Sequence, residues 1–518
     1  MAKVVFKPYL KDQMTFLPID LSTLIPENHM VRVIDKAIDS MNTKPLVETY
    51  KGGGTSAYHP VMMLKVLVYA YADKIFSSRN IAKATRENVN FLWLTGNVQL
   101  DFMTINRFRS QRLNGIIEKI FEEVIMLLHR EKYVTLEKYF LDGTKVESAA
   151  NKYSWVWGKN TKRYKAGLQE KVAKLFKEID TLNDQEDVEF GKADLPEVGS
   201  KPIDSQAIAD TVVKINERLT KKPKDKKLIK AQKLMKEYLP KMQKYEKQEE
   251  VLEKRKSYSK TDIDATFMRM KDDHMKNGQL KPAYNVQMGT ENQFITGFSI
   301  HSDRCDSVTV KDHIESLSFK PKDIITDAGY GSEENYQYFE SKEITAYVKY
   351  GTFHKEKTEK WKNDISKVQN FKYDTTTDTY YCPGMNRPLT FKNESIVRSD
   401  NGYASTVRRY ECEKCSDCPH RSKCMKSENP ATNRQIQINK KLVEYKENVN
   451  ALLTSEKGRE LRKLRSVEVE SVFGNVKWNL GLRRFTLRGK QKVKIEYGLW
   501  AIAHNMRKKA RGIIPKAA

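Results

Sequence analysis

"DIITDAGYGSEENYQYFESKEITAYVKY", residues 323–350, decides the fold. Ile324 and Ile325 lead into Asp327, Gly329 and Gly331 punctuate a tight turn, and Ser332 stands where it can cap a helix. A second apolar run follows at 344–350, so the pattern predicts strand, turn, helix and strand. Upstream, "AYNVQMGT" (283–290) and "QFITGFSIHS" (293–302) read as an antiparallel hairpin through the polar "ENQ", and "SVTVKDHIESLS" (307–318) reads as a helix. Two antiparallel strands followed by alternating helix and strand describe an α/β (α+β) mixed sheet covered by helices.

A further strand belongs to this sheet. In "EKYFLDGTKVES", residues 137–148, apolar and aromatic residues run directly into Asp142 and Gly143, a buried strand ending on a carboxylate. Asp142 and Asp327 then both close strands of one sheet and become candidate neighbours. Adjacent carboxylates repel, and a divalent cation such as Mg²⁺ resolves the repulsion while keeping positions for water and phosphate. The alternative is that both acids form turns or cap helices.

The rest of the chain agrees with a polyanion partner. Its 518 residues carry a net charge of +26, spread over the N-terminal third, the middle and the C-terminus. With no apolar run near ~18 residues and no apolar signal region at the start, the chain is expected to be soluble and cytoplasmic. Residues 1–135 read as helices, with Ser78 and Thr104 as expected N-caps. The pair around "SSRNIAKA" and "TINRFRSQR" resembles a helix-turn-helix that offers Asn106, Arg107, Arg109 and Arg112 to double-stranded DNA. A plain helical bundle with a solvated basic face is the other reading.

Residues 160–258 are highly charged with sparse apolar positions and prolines at 196, 202, 223 and 240. They read as an inserted helical arm, for DNA contact, for dimerisation or merely solvated. Residues 136–159 and 259–349 are expected to form the sheet core, 350–450 a cysteine-rich insertion of short strands, and 451–518 a C-terminal helix with a basic tail. In the insertion, Cys382, Cys412, Cys415, Cys418 and Cys424 have spacings that let thiolates share a structural zinc, with His420 as a further donor. Five cysteines overfill a four-ligand site, and reduced thiols without metal are the alternative; Cys305 reads as a buried thiol.

A third acid lies in "RSVEVESVFGNVKWNLGLRRF", residues 465–485, a helical stripe. Glu470 borders the stripe, and Lys477, two turns on, projects along nearly the same line. A carboxylate for a cation and an ammonium for a phosphate suit one site; Glu468, whose partner two turns on is Asn475, is a weaker rival. Asp262, Asp264, Asp303 and Asp306 are expected to cap turns and helices.

Together, "YFLDGTKVESAANKYSWVW", "DATFMRMKDDHMKNGQLKPAYNVQ", "ITDAGYGSEENY" and "VEVESVFGNVKWNLGLRRFTLRG", in this order after an opening of the type "LPIDLSTLIPENHMVRVID", resemble the DDE transposases of bacterial insertion sequences. The resemblance implies an RNase H-like catalytic domain with Asp142, Asp327 and Glu470 as its triad. It also implies two Mg²⁺ or Mn²⁺ ions, cleavage of terminal inverted repeats, strand transfer to target DNA, and a homodimer on nucleoid DNA. Lys477 and the run holding Arg483, Arg484 and Arg488 would grip the backbone. The family's last helix often carries tyrosine, arginine, glutamate and lysine, with two, three and six residues between them. Here Lys477 fits, but Ser466 and Lys463 occupy the arginine and tyrosine positions, and Arg465 points ~100° away on an ideal helix. A non-transposing nuclease and a domesticated DNA-binding protein remain the alternatives.

Overall fold

The computed structural model describes residues 20–50, 57–190, 203–221, 223–270, 278–399, 401–429 and 431–512. Pro196, Pro202 and part of the 264–287 motif lie outside the described residues.

The central sheet contains β1 (Lys138–Glu147), β2 (Thr266–Arg269), β3 (Leu280–Glu291), β4 (Phe294–His301), β5 (Asp323–Thr326) and β6 (Thr345–Val348). β3 is antiparallel to β1 on one side and to β2 and then β4 on the other, while β1, β5 and β6 run parallel. This mixed α+β arrangement is consistent with an RNase H-like fold. The β3–β4 hairpin closes through Asn292 and Gln293, with φ of 52° and 59°. Two consecutive left-handed residues suit a two-residue turn whose twist matches the strands. From Ala283 onward β3 and β4 are buried along their whole length, so both faces of the hairpin are covered.

What covers them comes from both ends of the chain. The helix Lys490–Ala510 crosses the sheet, where the Asn505 side chain accepts from the Ile295 N–H and donates to the Ile295 carbonyl, each at 2.8 Å. The N-terminal helices pack on the same helix: Trp500 meets Tyr71 edge-on at 5.6 Å and lies 4.3 Å from Phe76. A Cβ on Gly498 would fall 2.5 Å from Ile117 Cγ1, so the glycine permits this close approach. One apolar core therefore runs from the N-terminal helices through the sheet to the C-terminal helix.

The charged segment has its own core. Helices Gly158–Phe190, Ser205–Lys221 and Lys226–Leu252 bury Leu168, Val172, Leu175, Ile208, Met235 and Met242 against one another. Its apolar positions are few but fall on facing seams, so the segment is a packed helical unit and not a merely solvated one. Pro240 lies within the helix Lys226–Leu252 and does not interrupt it. Between β6 and the last helices, five short strands spanning 372–438 form a separate antiparallel sheet around Phe371, Tyr380, Leu389, Tyr410, Ile436 and Ile438.

Two expected caps shift. Ser77, not Ser78, precedes the helix Ser78–Glu87, and Asp101 caps Phe102–Arg107 by accepting from the Thr104 N–H at 2.8 Å. Thr104 is the capped residue, because a carboxylate three positions earlier outcompetes its hydroxyl.

Candidate active site

Register places the two aspartates together. β1 pairs in parallel with β5 through Lys138–Asp323, Tyr139–Ile324 and Phe140–Ile325. Carried two residues further, the same register sets Asp142 beside Asp327. Asp142 does not end its strand: β1 continues to Glu147 against β3, and only its parallel neighbour stops, at Thr326. Asp142 thus sits where β5 peels away and opens one side of the strand. Asp327 leaves β5 as the cap of a short turn over 328–330, its Oδ1 accepting from the Gly329 N–H at 2.8 Å. Ser332 caps the helix Glu333–Ser341, accepting from the Asn335 N–H at 3.2 Å. Tyr330 is fully buried beneath the turn and donates to Gln287 Oε1 at 2.5 Å. Of the two glycines, Gly331 is required sterically, because a Cβ there would fall 2.4 Å from the Lys349 carbonyl oxygen.

The third element is a helix that changes pitch. Residues 456–479 run continuously, with α-helical turns at Glu456–Arg465 and Ser471–Gly474 and π-helical turns at Ser466–Glu470 and Asn475–Asn479. Arg465 and Glu470 are five residues apart, about 140° out of phase on a regular α-helix. A π-turn closes on the fifth residue and brings them to one side. Arg465 Nη2 donates to Asp142 Oδ2 at 2.8 Å, and Nη1 lies 4.0 Å from Glu470 Oε1. Straight-helix geometry directed Arg465 away from the site; the π-turn corrects that expectation. The signal in sequence was the five-residue interval itself.

Glu470 is the most open member, its side chain 66% exposed. It lines a cleft of about 390 Å³ together with Asp142, Asp306, Lys477 and Trp478. Glu468 is spoken for: its buried carboxylate accepts from the Gln293 N–H at 2.6 Å and ties the helix to the β3–β4 turn. Burial pushes the Asp142 carboxyl up to about 6, against the opposing pull of Arg465, and the neighbouring Asp327 charge raises it further. The site is therefore short of positive charge as it stands.

The basic residues divide. Arg107 is exposed, and Arg112 stacks on Tyr50 at 4.5 Å while donating to the Thr49 carbonyl. Arg109 is not presented to DNA. It is 5% exposed, and its Nη1 donates to the Phe76 carbonyl at 2.9 Å and the Tyr71 hydroxyl at 3.2 Å. The turn that exposes Arg107 and Arg112 directs Arg109, between them, into the core. Near the cleft, Arg483 stacks on the exposed Trp478 at 4.0 Å. Arg484 is held by the Ser148 and Ala150 carbonyls at 3.0 Å each, and Arg488 by the Ala149 carbonyl at 3.2 Å. Those two guanidinium groups dock the last helix onto the segment after β1.

Asp262 and Asp264 behave as expected, accepting from the Gly489 and Lys490 N–H groups at the start of the helix Lys490–Ala510. Asp303 is exposed. Asp306 departs from expectation: its carboxylate does not cap the turn at 306–308 but accepts from Asn285 and Gln287 on β3. Cys305 is exposed, not buried.

In the insertion, Cys382, Cys412, Cys415, Cys418, Cys424 and His420 line one small, nearly closed cavity. The Arg387 N–H donates to Cys382 Sγ at 3.4 Å and the Arg434 N–H to Cys415 Sγ at 3.3 Å. Burial, with Cys415 alongside, pushes the Cys412 thiol up to about 12. Among the described residues, no group of three or more His, Cys, Asp or Glu is drawn tightly enough together to hold a metal ion. In the sheet site, Arg465 stands against Asp142 instead.

Comparison with known proteins adds two family matches. A family described as "Transposase DDE domain" matches residues 381–510, and one described as "Transposase domain (DUF772)" matches residues 19–111. The first match contains Arg465, Glu470 and the five cysteines of the insertion but neither Asp142 nor Asp327, so the two aspartates rest on sheet register. No curated protein and no solved structure matches the chain.

Proposed function

We propose, for a chain that belongs to the DDE transposases of insertion sequences, that it binds the terminal inverted repeats of its element and catalyses metal-dependent DNA cleavage and strand transfer. The observation that carries this reading is the in-register placement of Asp142 and Asp327 with Arg465 and Glu470 facing them from the helix over 456–479.

The donors suit a divalent cation by their chemistry. Three carboxylates on separate elements offer hard oxygens, and Asp142 is raised by burial in a way that a second positive charge would relieve. Asp142, Asp327 and Glu470 would hold Mg²⁺ or Mn²⁺, most simply as a pair of ions. When bound, such ions activate the attacking oxygen and stabilise the leaving oxygen of an in-line phosphodiester displacement.

The chain's own residues do the rest. Arg465, paired to Asp142, keeps that carboxylate ionised and becomes available to phosphate once the carboxylate has another partner. Lys477, on the same wall of the cleft, holds a phosphate near the cut, and the exposed Trp478 with Arg483 offers an aromatic-cationic surface to the strand. Arg107 and Arg112 supply backbone contacts from the N-terminal helices. Water makes the first cut at the element's end, and the freed 3′-hydroxyl attacks target DNA. Joining two ends requires two such sites, so the working form is a homodimer on DNA.

Asp142→Asn, Asp327→Asn and Glu470→Gln should each abolish cleavage of a DNA end carrying the inverted repeat while leaving gel-shift binding intact. Undiminished cutting by any of them would remove that residue from the reading. Cleavage without joining in a paired-end strand-transfer assay would favour the nuclease reading instead.

For the insertion, the reading is a structural zinc. Five thiols around one cavity and backbone N–H donors to two of the sulfurs suit a tetrathiolate, and the small apolar core beside it would gain stability from the ion.

A further inference from the structure

The shortage of positive charge at Asp142 is local, and on the far side of Asp327 the sheet carries the opposite sign. β5 and β6 pair in parallel through Asp323–Thr345, Ile324–Ala346, Ile325–Tyr347 and Thr326–Val348. One residue further, that register sets Lys349 beside Asp327, as the β1–β5 register sets Asp142 on its other side. Three adjacent strands therefore present aspartate, aspartate and lysine in one row. The turn after Asp327 rests on this lysine, since it is the Lys349 carbonyl that leaves no room for a Cβ at Gly331.

The helix Glu456–Arg465 brings a second cation to the same place. Lys457, near its start, pairs at 2.6 Å with Asp323, the first residue of β5, and Arg465 at its end reaches Asp142. Eight helical residues and four strand residues each span about 12–13 Å, so helix and strand run alongside one another to the site. Arg462, one turn before Arg465, shares its side of the helix. Its guanidinium lies 5.3 Å from the centre of the Phe353 ring, and the Lys357 ammonium lies 4.0 Å from the same ring.

What these cations lack is an anion. Arg465 is paired to Asp142, but among the described residues neither Lys349 nor Arg462 forms an ion pair, and the Lys349 ammonium makes no hydrogen bond. Arg462 donates to the Gly458 carbonyl of its own helix at 3.3 Å. Glu356, the acid of the loop that carries Phe353 and Lys357, accepts from the Tyr350 and Thr352 hydroxyls. Burial pushes the half-buried Lys349 ammonium down, and Arg465 and Arg462 push it further against the pull of Asp327. Like charges gathered out of water are unfavourable until an anion joins them, and a phosphate oxygen accepts from lysine and arginine together.

We infer that Lys349 and Arg462 bind a backbone phosphate of the element's end, next to the phosphate that is cut. Neither residue lines the cleft that holds Glu470 and Lys477, so they give the DNA a second wall on the Asp327 side. This inference rests on the transposase reading above.

The test uses short duplexes carrying the inverted repeat, each with one neutral methylphosphonate in place of a phosphate near the cut, bound to the full chain in chelator. At one position the substitution should weaken wild-type binding about tenfold. Lys349→Gln should weaken binding to the unmodified duplex by as much and lower the salt slope by about one. Lys349→Gln and that methylphosphonate together should cost no more than either alone, because both remove the same contact. Lys349→Arg should restore the slope. Since it takes an unpaired cation from among like charges, Lys349→Gln should not lower the metal-free melting temperature.

Additive losses at every position, or an unchanged salt slope, would overturn the inference. A lowered melting temperature would make Lys349 a counter-ion of Asp327 and overturn it too. Wild-type cutting of the end with only the joining step reduced would move the phosphate to target DNA, against the assignment. Asp142→Asn keeps the two failures apart, because it removes a carboxylate and no cation. If it binds the repeat without cutting while Lys349→Gln behaves as wild type, only the Lys349 assignment is wrong; a wild-type chain that neither binds nor cuts the repeat overturns both.

Discussion

Replacing Asp142 by asparagine should stabilise the metal-free protein, and should do so only above acid pH. The Asp142 carboxyl sits at about 6 in the folded chain against an ordinary 3.8. Between those values the folded state keeps a proton that the unfolded state has released, so this group's contribution is most favourable below pH 3.8. It is lost as pH rises through 6. At pH 7 and above, ionised Asp142 therefore costs about 3 kcal/mol relative to its protonated form. Asparagine imitates the protonated form at every pH: one side-chain oxygen still accepts, and the other position faces a donor, as a carboxylic acid proton would. The variant should match wild type near pH 4 and exceed it by up to about 3 kcal/mol at pH 8. Scanning calorimetry in chelator across pH 4–8, reading the transition of the sheet core, measures the difference. Adding Mg²⁺ should raise the wild-type transition and leave the variant's unchanged. A variant less stable than wild type at pH 8, or an offset independent of pH, would refute the reasoning, because either would mean that ionised Asp142 is not under strain.

Other outcomes follow from the same contacts. Arg465→Ala removes the cation that opposes burial at Asp142, so the pH profile of cleavage should move to higher pH and the rate should fall about 10²-fold or more, with lysine restoring part of it. Removing Arg107 and Arg112 together should lower the salt dependence of DNA binding by about one counterion per lost phosphate contact. Arg109→Ala should leave that slope alone and instead lower the melting temperature, since its partners are buried. Protein purified without chelator should carry close to one zinc per chain, and Cys412→Ser with Cys415→Ser should release it. Gly289→Ala should unfold the core or cost well over about 3 kcal/mol, because its Cβ would overlap the Tyr139 ring.

Much of the core was legible because strands buried on both faces are dense in apolar residues: 139–141 and 324–325 are wholly apolar, while 283–290 and 294–300 interleave buried Asn285, Gln287, Thr290, Thr296 and Ser299 with apolar side chains. The neighbouring aspartates were legible for the same reason, as charges where such runs break. Their exact pairing was not, since register is set by long-range contacts that one sequence does not display. Arg109 shows the opposite limit: three arginines within six residues read as one basic face, and only packing reveals that the middle one is internal. The arm shows a third. Its apolar residues are outnumbered by charges, so composition suggested solvation, yet a few well-placed seams suffice to pack three helices.

The helix over 456–479 shows why motif spacing and site geometry can part company. Spacing rules for a helix assume a constant 100° per residue, so an arginine displaced by one position should be lost to the site. Here a π-turn between Arg465 and Glu470 restores the phase, and the guanidinium reaches Asp142. The turn is costly in hydrogen-bond geometry, and such turns recur where function re-aims a side chain. A second π-turn, over Asn475–Asn479, carries Lys477 and Trp478, which line the cleft together with Phe473 and Gly474 of the α-helical turn between the two. The regular α-helical turns lie before and between them, at Glu456–Arg465 and Ser471–Gly474. What fixes Arg465 is thus the local winding of the helix beside it, and deleting one uncharged residue of that π-turn, such as Val467, should leave a regular α-turn with the arginine four positions before the glutamate on the same face, so the Asp142–Arg465 pair should survive.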